Sequence, residues 1–303
     1  MSELKGILPL LKPAGFTSHD CVNKIRRILR TKRVGHTGTL DPSVTGVLPI
    51  CIGQATRVVE YIQDLPKEYH ATIQIGRSTT TEDADGELIE EQAVSPTFTE
   101  EQVRAMVMKF VGEIEQVPPM YSAIKINGVR LYELAREGKE VERKARKVTI
   151  YSIEIEAMSL EQPFPEVTFR VRCSKGTYVR TLCVDIGKEL GYPAHMKYLQ
   201  RIASGPFQLK DCLTFEELEK AVTEGKVQGF LRPIDEGLLH YPDYTVNHEE
   251  ALDVFNGKRL KIEKDLEEGI LLRIYGTDQN FIALYRTYLY NGVVWGKPEK
   301  VFH

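Results

Sequence analysis

The chain has 303 residues, 42% of them hydrophobic and 27% charged, with a formal net charge of -3. That length suits about two domains on a prior of roughly 150 residues each, and the composition is that of a globular protein. No apolar run approaches the roughly 20 residues that cross a bilayer, and the apolar start at 1–11 lacks a basic flank and a cleavage site, so neither a membrane span nor a signal peptide is expected.

Thr17-Ser18 precedes a stretch in which Val22, Ile25 and Leu29 fall at helical spacing, and either residue can cap the helix. Lys24, Arg27 and Arg30 lie off that stripe, which predicts an amphipathic helix with one basic face. Tyr69–Gly76 alternates apolar and polar residues and reads as a strand. A turn-rich acidic stretch, 78–87, follows. Thr99 with Gln102 is a capping box opening a helix. Two strands are predicted at 148–158 and 166–173, and a tight Ser174-Lys175-Gly176-Thr177 turn leads into a helix that Gly191 can end. Another helix follows Thr214. Strands dominate again after Pro242, the predicted boundary between a unit at 1–242 and a smaller one at 243–303. The pattern is that of a mixed α+β domain with a small β-rich C-terminal module.

Charge is segregated along the chain. Residues 24–33 hold six basic groups and no acid, and 143–147 add four more, while acids collect at 82–91 and 263–268. A chain of low net charge can thereby turn a cationic face to phosphates. Five cysteines form no Cys-x-x-Cys pair, and seven histidines form no His-Glu-x-x-His motif. No disulfide frame and no metal are expected, and the cysteine usage suits a reducing cytoplasm.

The most specific signal is the octapeptide Gly35-His36-Thr37-Gly38-Thr39-Leu40-Asp41-Pro42. It sets one carboxylate in a glycine-flanked loop stiffened by proline, with no second carboxylate beside it. Such an aspartate suits direct attack or the shuttling of one proton. The stretch Cys173–Leu182 places Arg180 just inside a helix, where its guanidinium can reach a neighbouring loop. A guanidinium beside a buried carboxylate keeps it ionised and oriented.

These stretches resemble the TruB-type tRNA pseudouridine synthases, and so do Leu11–Ser18, Lys67-Glu68-Tyr69, Pro118–Lys125 with Leu131–Arg136, and His195–Arg201 with Gly205-Pro206-Phe207. The matches run in family order from about residue 5 to residue 207. The resemblance implies a pseudouridine synthase domain with a largely antiparallel sheet and flanking helices, followed by a PUA-like RNA-binding module at 243–303. It implies isomerisation of the uridine at position 55 in the tRNA T-loop, flipped into a pocket, with no cofactor or metal. Asp41 takes the catalytic role, with attack on C1′ or C6 or removal of a ribose proton all open. Tyr69 stacks on the base, Tyr178 lines the uracil pocket, Arg180 pairs with Asp41, and Leu199 covers the aspartate and base. His36 contacts RNA where the base leaves the stack, and Lys12 buttresses the pocket wall. Gln200 departs from the family pattern, which has arginine there. The partner implied is tRNA through its T-stem-loop, without a membrane, an obligatory protein or the guide RNA of dyskerin-like relatives, and nothing calls for more than a monomer. Two rival readings are an RNA chaperone, in which remodelling of tRNA is the useful work, and a glycosidase. The glycosidase ordinarily needs two facing carboxylates, and the motifs supply no partner for Asp41.

Overall fold

A computed structural model of the chain describes residues 4–126, 128–139, 141–264 and 266–303. Its helices begin where short-range chemistry dictates. Thr17 caps Ser18–Leu29: its hydroxyl accepts from the Asp20 N–H and the Asp20 carboxylate accepts from the Thr17 N–H. Ser18, the other candidate, is buried and instead accepts the Leu40 N–H at 2.9 Å, tying the helix to the octapeptide. The same box, Thr99 with Gln102 and Thr214 with Glu217, opens Glu100–Met108 and Phe215–Thr223. Gly191 ends Val179–Leu190 at φ +81°.

A nine-stranded sheet forms the main body. Its principal order is Gly6–Lys12, Thr45–Ile52, Ala194–Ser204, Lys67–Ile75, Glu166–Cys173, Arg146–Ser159 and Gly112–Gln116, with Val34–His36 and Phe207–Gln208 off this path. Every neighbouring pair is antiparallel except one short parallel crossing, where Gln200 and Arg201 meet Thr45 and Gly46. At that crossing a side chain on residue 46 would sit 2.1 Å from the Arg201 carbonyl, and φ is +117°, so only glycine fits. Pro9 and Pro49 face each other in the first strand pair, where neither needs an N–H to donate.

The expected mixed α+β class is borne out. Helices Glu100–Met108 and Val179–Leu190 pack on the sheet around Ile73, Val167, Phe169 and Ile186. Ser18–Leu29 and Phe215–Thr223 cover Leu8, Leu10, Leu48 and Ile50, while Ile7, Val47 and Cys51 point to the opposite side. Both faces at this end are therefore buried, which explains why Gly6–Lys12 and Thr45–Ile52 show no alternation.

The C-terminal residues form a second, five-stranded sheet: Asp243–Thr245, Leu271–Tyr275, Phe281–Tyr290, Val293–Val301 and Leu260–Lys261. This β-rich module is compatible with a PUA-like fold. It also holds the helix His248–Phe255, capped by Asn247 with Glu250, which the strand-dominated reading of this stretch did not include. Leu271, Leu284 and Phe302 pack with Ile7, Val58 and Ile62 of the main body. Along the chain between 240 and 303 no helix is long and apolar enough to cross a membrane, and the same holds for the rest of the described residues.

The expected basic face of Ser18–Leu29 is only partly a free surface. Lys24 lies 4.3 Å from the Phe215 ring centroid and 3.6 Å from Glu219. Arg26 donates to the Val34 carbonyl at 3.1 Å. Arg27, Arg30 and Lys32 remain exposed. Phe215 and Glu219 come from a distant helix, Phe215–Thr223, that docks on this side.

Candidate active site

The octapeptide forms the loop between Val34–His36 and Thr45–Ile52. The Thr37 N–H donates to Pro49 O at 3.1 Å, and the Val44 N–H to Asp41 O at 3.1 Å. Gly38 sits at φ +142°, conformational space that glycine alone adopts freely. Beneath the loop, fully buried Lys12 donates to the carbonyls of Pro13 (3.0 Å), Pro42 (3.0 Å) and Val44 (2.6 Å). Burial lowers its pKa to about 8. Lys12 thus holds the backbone on both sides of Asp41.

Arg201 does the same from the sheet. Its guanidinium is buried and donates to Val47 O at 2.7 Å, with longer contacts to Thr39 O and Gly38 O at 3.4 Å. Sequence reasoning quoted Arg201 within a motif but gave it no role. No local pattern marks it, because bulges break the alternation of its strand. Gln200, the family departure, donates to the Thr45 hydroxyl at 3.3 Å and takes part in the parallel crossing.

Arg180 reaches Asp41 as expected, with Nη2 3.0 Å from Oδ2. The arginine is 4% exposed and the aspartate side chain 37%. Two backbone carbonyls fix the guanidinium: Nη1 donates to Thr81 O and Nη2 to Tyr121 O, both at 2.8 Å. Its Nη1 also lies 3.7 Å from Oδ2 of Asp83. Desolvation raises the Asp41 pKa, Arg180 opposes that rise, and the Asp83 charge adds to it.

Asp83 belongs to the acidic turn at 78–87. It is buried, its carboxylate accepts from the Thr81 hydroxyl and from the Asp85 N–H at 3.1 Å, and its neighbour Glu82 accepts from the Thr181 hydroxyl at 2.8 Å. The turn therefore folds its acids onto the start of the Val179–Leu190 helix. No local pattern in the sequence discloses a partner almost a hundred residues away.

A cavity of about 680 Å³ opens over these groups, within the roughly 300–1,000 Å³ of small-ligand sites. Asp41, Tyr69, Tyr178, Arg180 and Leu199 all line it. Tyr69 is buried and faces the Arg201 guanidinium, and desolvation raises its pKa, so its phenol stays neutral. Tyr178 precedes the Val179–Leu190 helix, its backbone held by the Gln116 amide at 3.0 and 3.2 Å. Leu199 pairs with Ala71 across the central strands. Lys12 lies beneath the loop and His36 beside it, both outside the cavity lining; the His36 Nδ1 accepts the Gly38 N–H at 3.4 Å. Lys67 lines the cavity as well and was not singled out. Lys175, Arg146 and Lys147 stand at its edge. Among the described residues no three His, Cys, Asp or Glu side chains are grouped to hold a metal ion.

A family model for the N-terminal domain of TruB family pseudouridylate synthases matches residues 26–179. The chain belongs to the TruB family. A second model, the C-terminal domain of tRNA pseudouridylate synthase B, matches residues 180–239. The TruB relative named tRNA pseudouridine synthase B from Geobacillus thermodenitrificans is 49% identical over 305 residues, covering 99% of this chain and 100% of that one. Its namesake from Bacillus pumilus is 54% identical over 255 residues, covering 84% and 82%. Among solved structures, a chain of a Cbf5–Nop10–Gar1 complex superposes with a TM-score of 0.76 at 29% identity, covering 98% of this chain and 85% of that one. An H/ACA RNP bound to a substrate RNA containing 2′-deoxyuridine gives 0.75 at 26%, with coverage of 98% and 85%. The protein is accordingly a pseudouridine synthase, an isomerase of the TruB family.

Proposed function

We propose that this enzyme converts the uridine at position 55 in the T-loop of tRNA to pseudouridine, with Asp41 as the catalytic carboxylate. The observation that carries the reading is the Arg180–Asp41 pair at 3.0 Å inside a cavity walled by Tyr69, Tyr178 and Leu199. The names of the relatives from Geobacillus and Bacillus support tRNA as the substrate.

In the reaction the C1′–N1 bond breaks, the uracil turns, and a C5–C1′ bond forms. C5 then loses a proton and N1 gains one, so the product is an isomer of the substrate. The base must first leave the RNA stack, at a cost of a few kcal/mol that stacking on Tyr69 offsets by roughly 1–3 kcal/mol. Tyr178 borders the base, Leu199 excludes water above Asp41, and Arg180 keeps the carboxylate ionised despite desolvation. Lys12 holds the Asp41 loop. His36 and the exposed Arg27, Arg30 and Lys32 meet RNA outside the cavity. Residues 1–242 carry the chemistry and 243–303 a further RNA contact. The protein acts as a monomer in the cytoplasm, with neither guide RNA nor protein partner; its identity of 49% to the Geobacillus relative, against 29% for the Cbf5 chain, favours this.

The test is incubation of the purified protein with an unmodified tRNA transcript, followed by pseudouridine mapping. One pseudouridine in the T-loop, absent with Asp41→Asn while binding persists, is the expected result. Unchanged product with Asp41→Asn would remove Asp41 as the catalyst. Tight binding without any product would favour the chaperone reading, and release of free uracil the glycosidase.

A further inference from the structure

Three buried cations surround the Asp41 loop, and none is ion-paired among the described residues. Lys12 and Arg201 are held by the carbonyls given above. Lys67, 6% exposed, donates to the carbonyls of Gln63 and, at 2.6 Å, Leu65. Arg180 faces the carboxylates Asp41 and Asp83, while Asp64, the carboxylate of the cavity lining whose charge reaches Lys67, is paired with Lys175 at 2.6 Å. Burying charge without an opposite charge is costly, and carbonyl hydrogen bonds offset only part of that cost. Holding a loop needs donors, not full positive charge.

Two of the three cations border the place where a base would stack. Lys67 and Tyr69 lie two residues apart on one buried face of the Lys67–Ile75 strand. Arg201 is paired with Tyr69 across the neighbouring strand. All three line the cavity, and Gly38 of the catalytic loop packs between the Lys67 stem and the Arg201 guanidinium, its position for a Cβ 3.8 and 3.6 Å from them. Lys12 lies outside the lining and belongs to the loop support.

We propose that Lys67 and Arg201 form an electrostatic cradle for the uracil anion. This rests on the function proposed above. In each of the three open routes the electron pair of the broken C1′–N1 bond leaves on the base, and where Asp41 adds to C1′ or takes the ribose 2′ proton it spreads over N1, O2 and O4. Fixed positive charges beside the stacking ring stabilise that anion with no reorganisation at the moment it forms. The charge moves away again when C5 attacks C1′ and its proton departs, so the cradle favours the intermediate over both ends of the reaction. Burial lowers the Lys67 pKa to about 8, so it is charged at neutral pH, and an anion nearby holds its proton more tightly. Lys67 is the residue to test, since Arg201 also anchors the loop.

The experiment compares Lys67→Met and Lys67→Arg in single-turnover reactions on a tRNA transcript carrying either uridine or 5-fluorouridine at the target. Tm and tRNA Kd are measured alongside. Fluorine makes the departing base a more stable anion that needs less help from the protein. Lys67→Met should slow cleavage of the uridine C1′–N1 bond by roughly 100-fold, with Kd changed less than about twofold. The loss should be several-fold smaller with 5-fluorouridine, and Lys67→Arg should recover most of the rate. Equal losses on both substrates, no rescue by arginine, or a wild-type rate in Lys67→Met would each overturn the inference. If the wild-type enzyme makes no pseudouridine, the proposed function itself fails. If it does and Asp41→Asn does not, a negative result with Lys67 bears on this inference alone.

Discussion

Replacing Arg180 by methionine tests the electrostatics of the site most directly. Two opposing effects act on Asp41: desolvation raises its pKa and Arg180 draws it down. Unit charges about 4 Å apart interact by about 4 kcal/mol at an effective dielectric constant of 20. The Asp41 side chain is 37% exposed, so water screens part of this, and roughly 1–2 kcal/mol is expected from the pair. That corresponds to about one pH unit in the titration of the carboxylate. The sign follows from the proposed role of Asp41: if it reacts only when ionised, activity is present above its pKa and lost as pH falls through it. Without Arg180 that loss begins at higher pH. The assay is single-turnover pseudouridine formation on a tRNA transcript from about pH 5 to 9, with Kd measured in parallel. The acid limb of the rate profile should move up by about one pH unit, with partial recovery toward alkaline pH. A lower rate with an unmoved acid limb, in a protein that still melts cooperatively, would refute the view that Arg180 acts by keeping Asp41 ionised.

Asp83→Asn should shift the same limb the other way, because the Asp83 charge adds to the rise in Asp41; an upward shift would mean that its main effect is to hold Arg180 in place. Gly46→Ala should cost roughly 3 kcal/mol in urea unfolding, from a positive φ combined with a clash against the Arg201 carbonyl, and a change below about 1 kcal/mol would show that the crossing relaxes. Changing Arg27, Arg30 and Lys32 to glutamine should flatten the dependence of log Kd for tRNA on log salt by about 2–3, near one per lost phosphate contact. An unchanged slope would place the RNA on another face.

Local chemistry was readable in advance wherever a few neighbouring residues suffice. The capping boxes at Thr99 and Thr214 and the αL glycine at 191 are satisfied within one helical turn, so the sequence alone predicts those ends. The box at Asn247 with Glu250 carried the same signal and was overlooked among the strand-rich runs that surround it. Thr45–Ile52 and Ala194–Ser204 were not anticipated as strands. The first is buried on both faces and interrupted by Pro49. The second carries bulges between Met196 and Tyr198 and between Arg201 and Ala203, which break the alternation that marks a strand.

The frame around Asp41 is legible in the chain alone: its loop, the proline and glycines of that loop, and the arginine and tyrosines that accompany it. Tertiary structure decided what surrounds them. The docking of Phe215 and Glu219 took Lys24 out of the expected basic face. The fold of the acidic turn brought Asp83 to Arg180. The parallel crossing of Ala194–Ser204 on Thr45–Ile52 set Arg201 behind the Asp41 loop, and the pairing of Ala194–Ser204 with Lys67–Ile75 set it against Tyr69. Such pairings join residues far apart in the chain, and what selects them is the balance of burying charge against packing apolar faces. That balance is fixed only when the whole sheet closes.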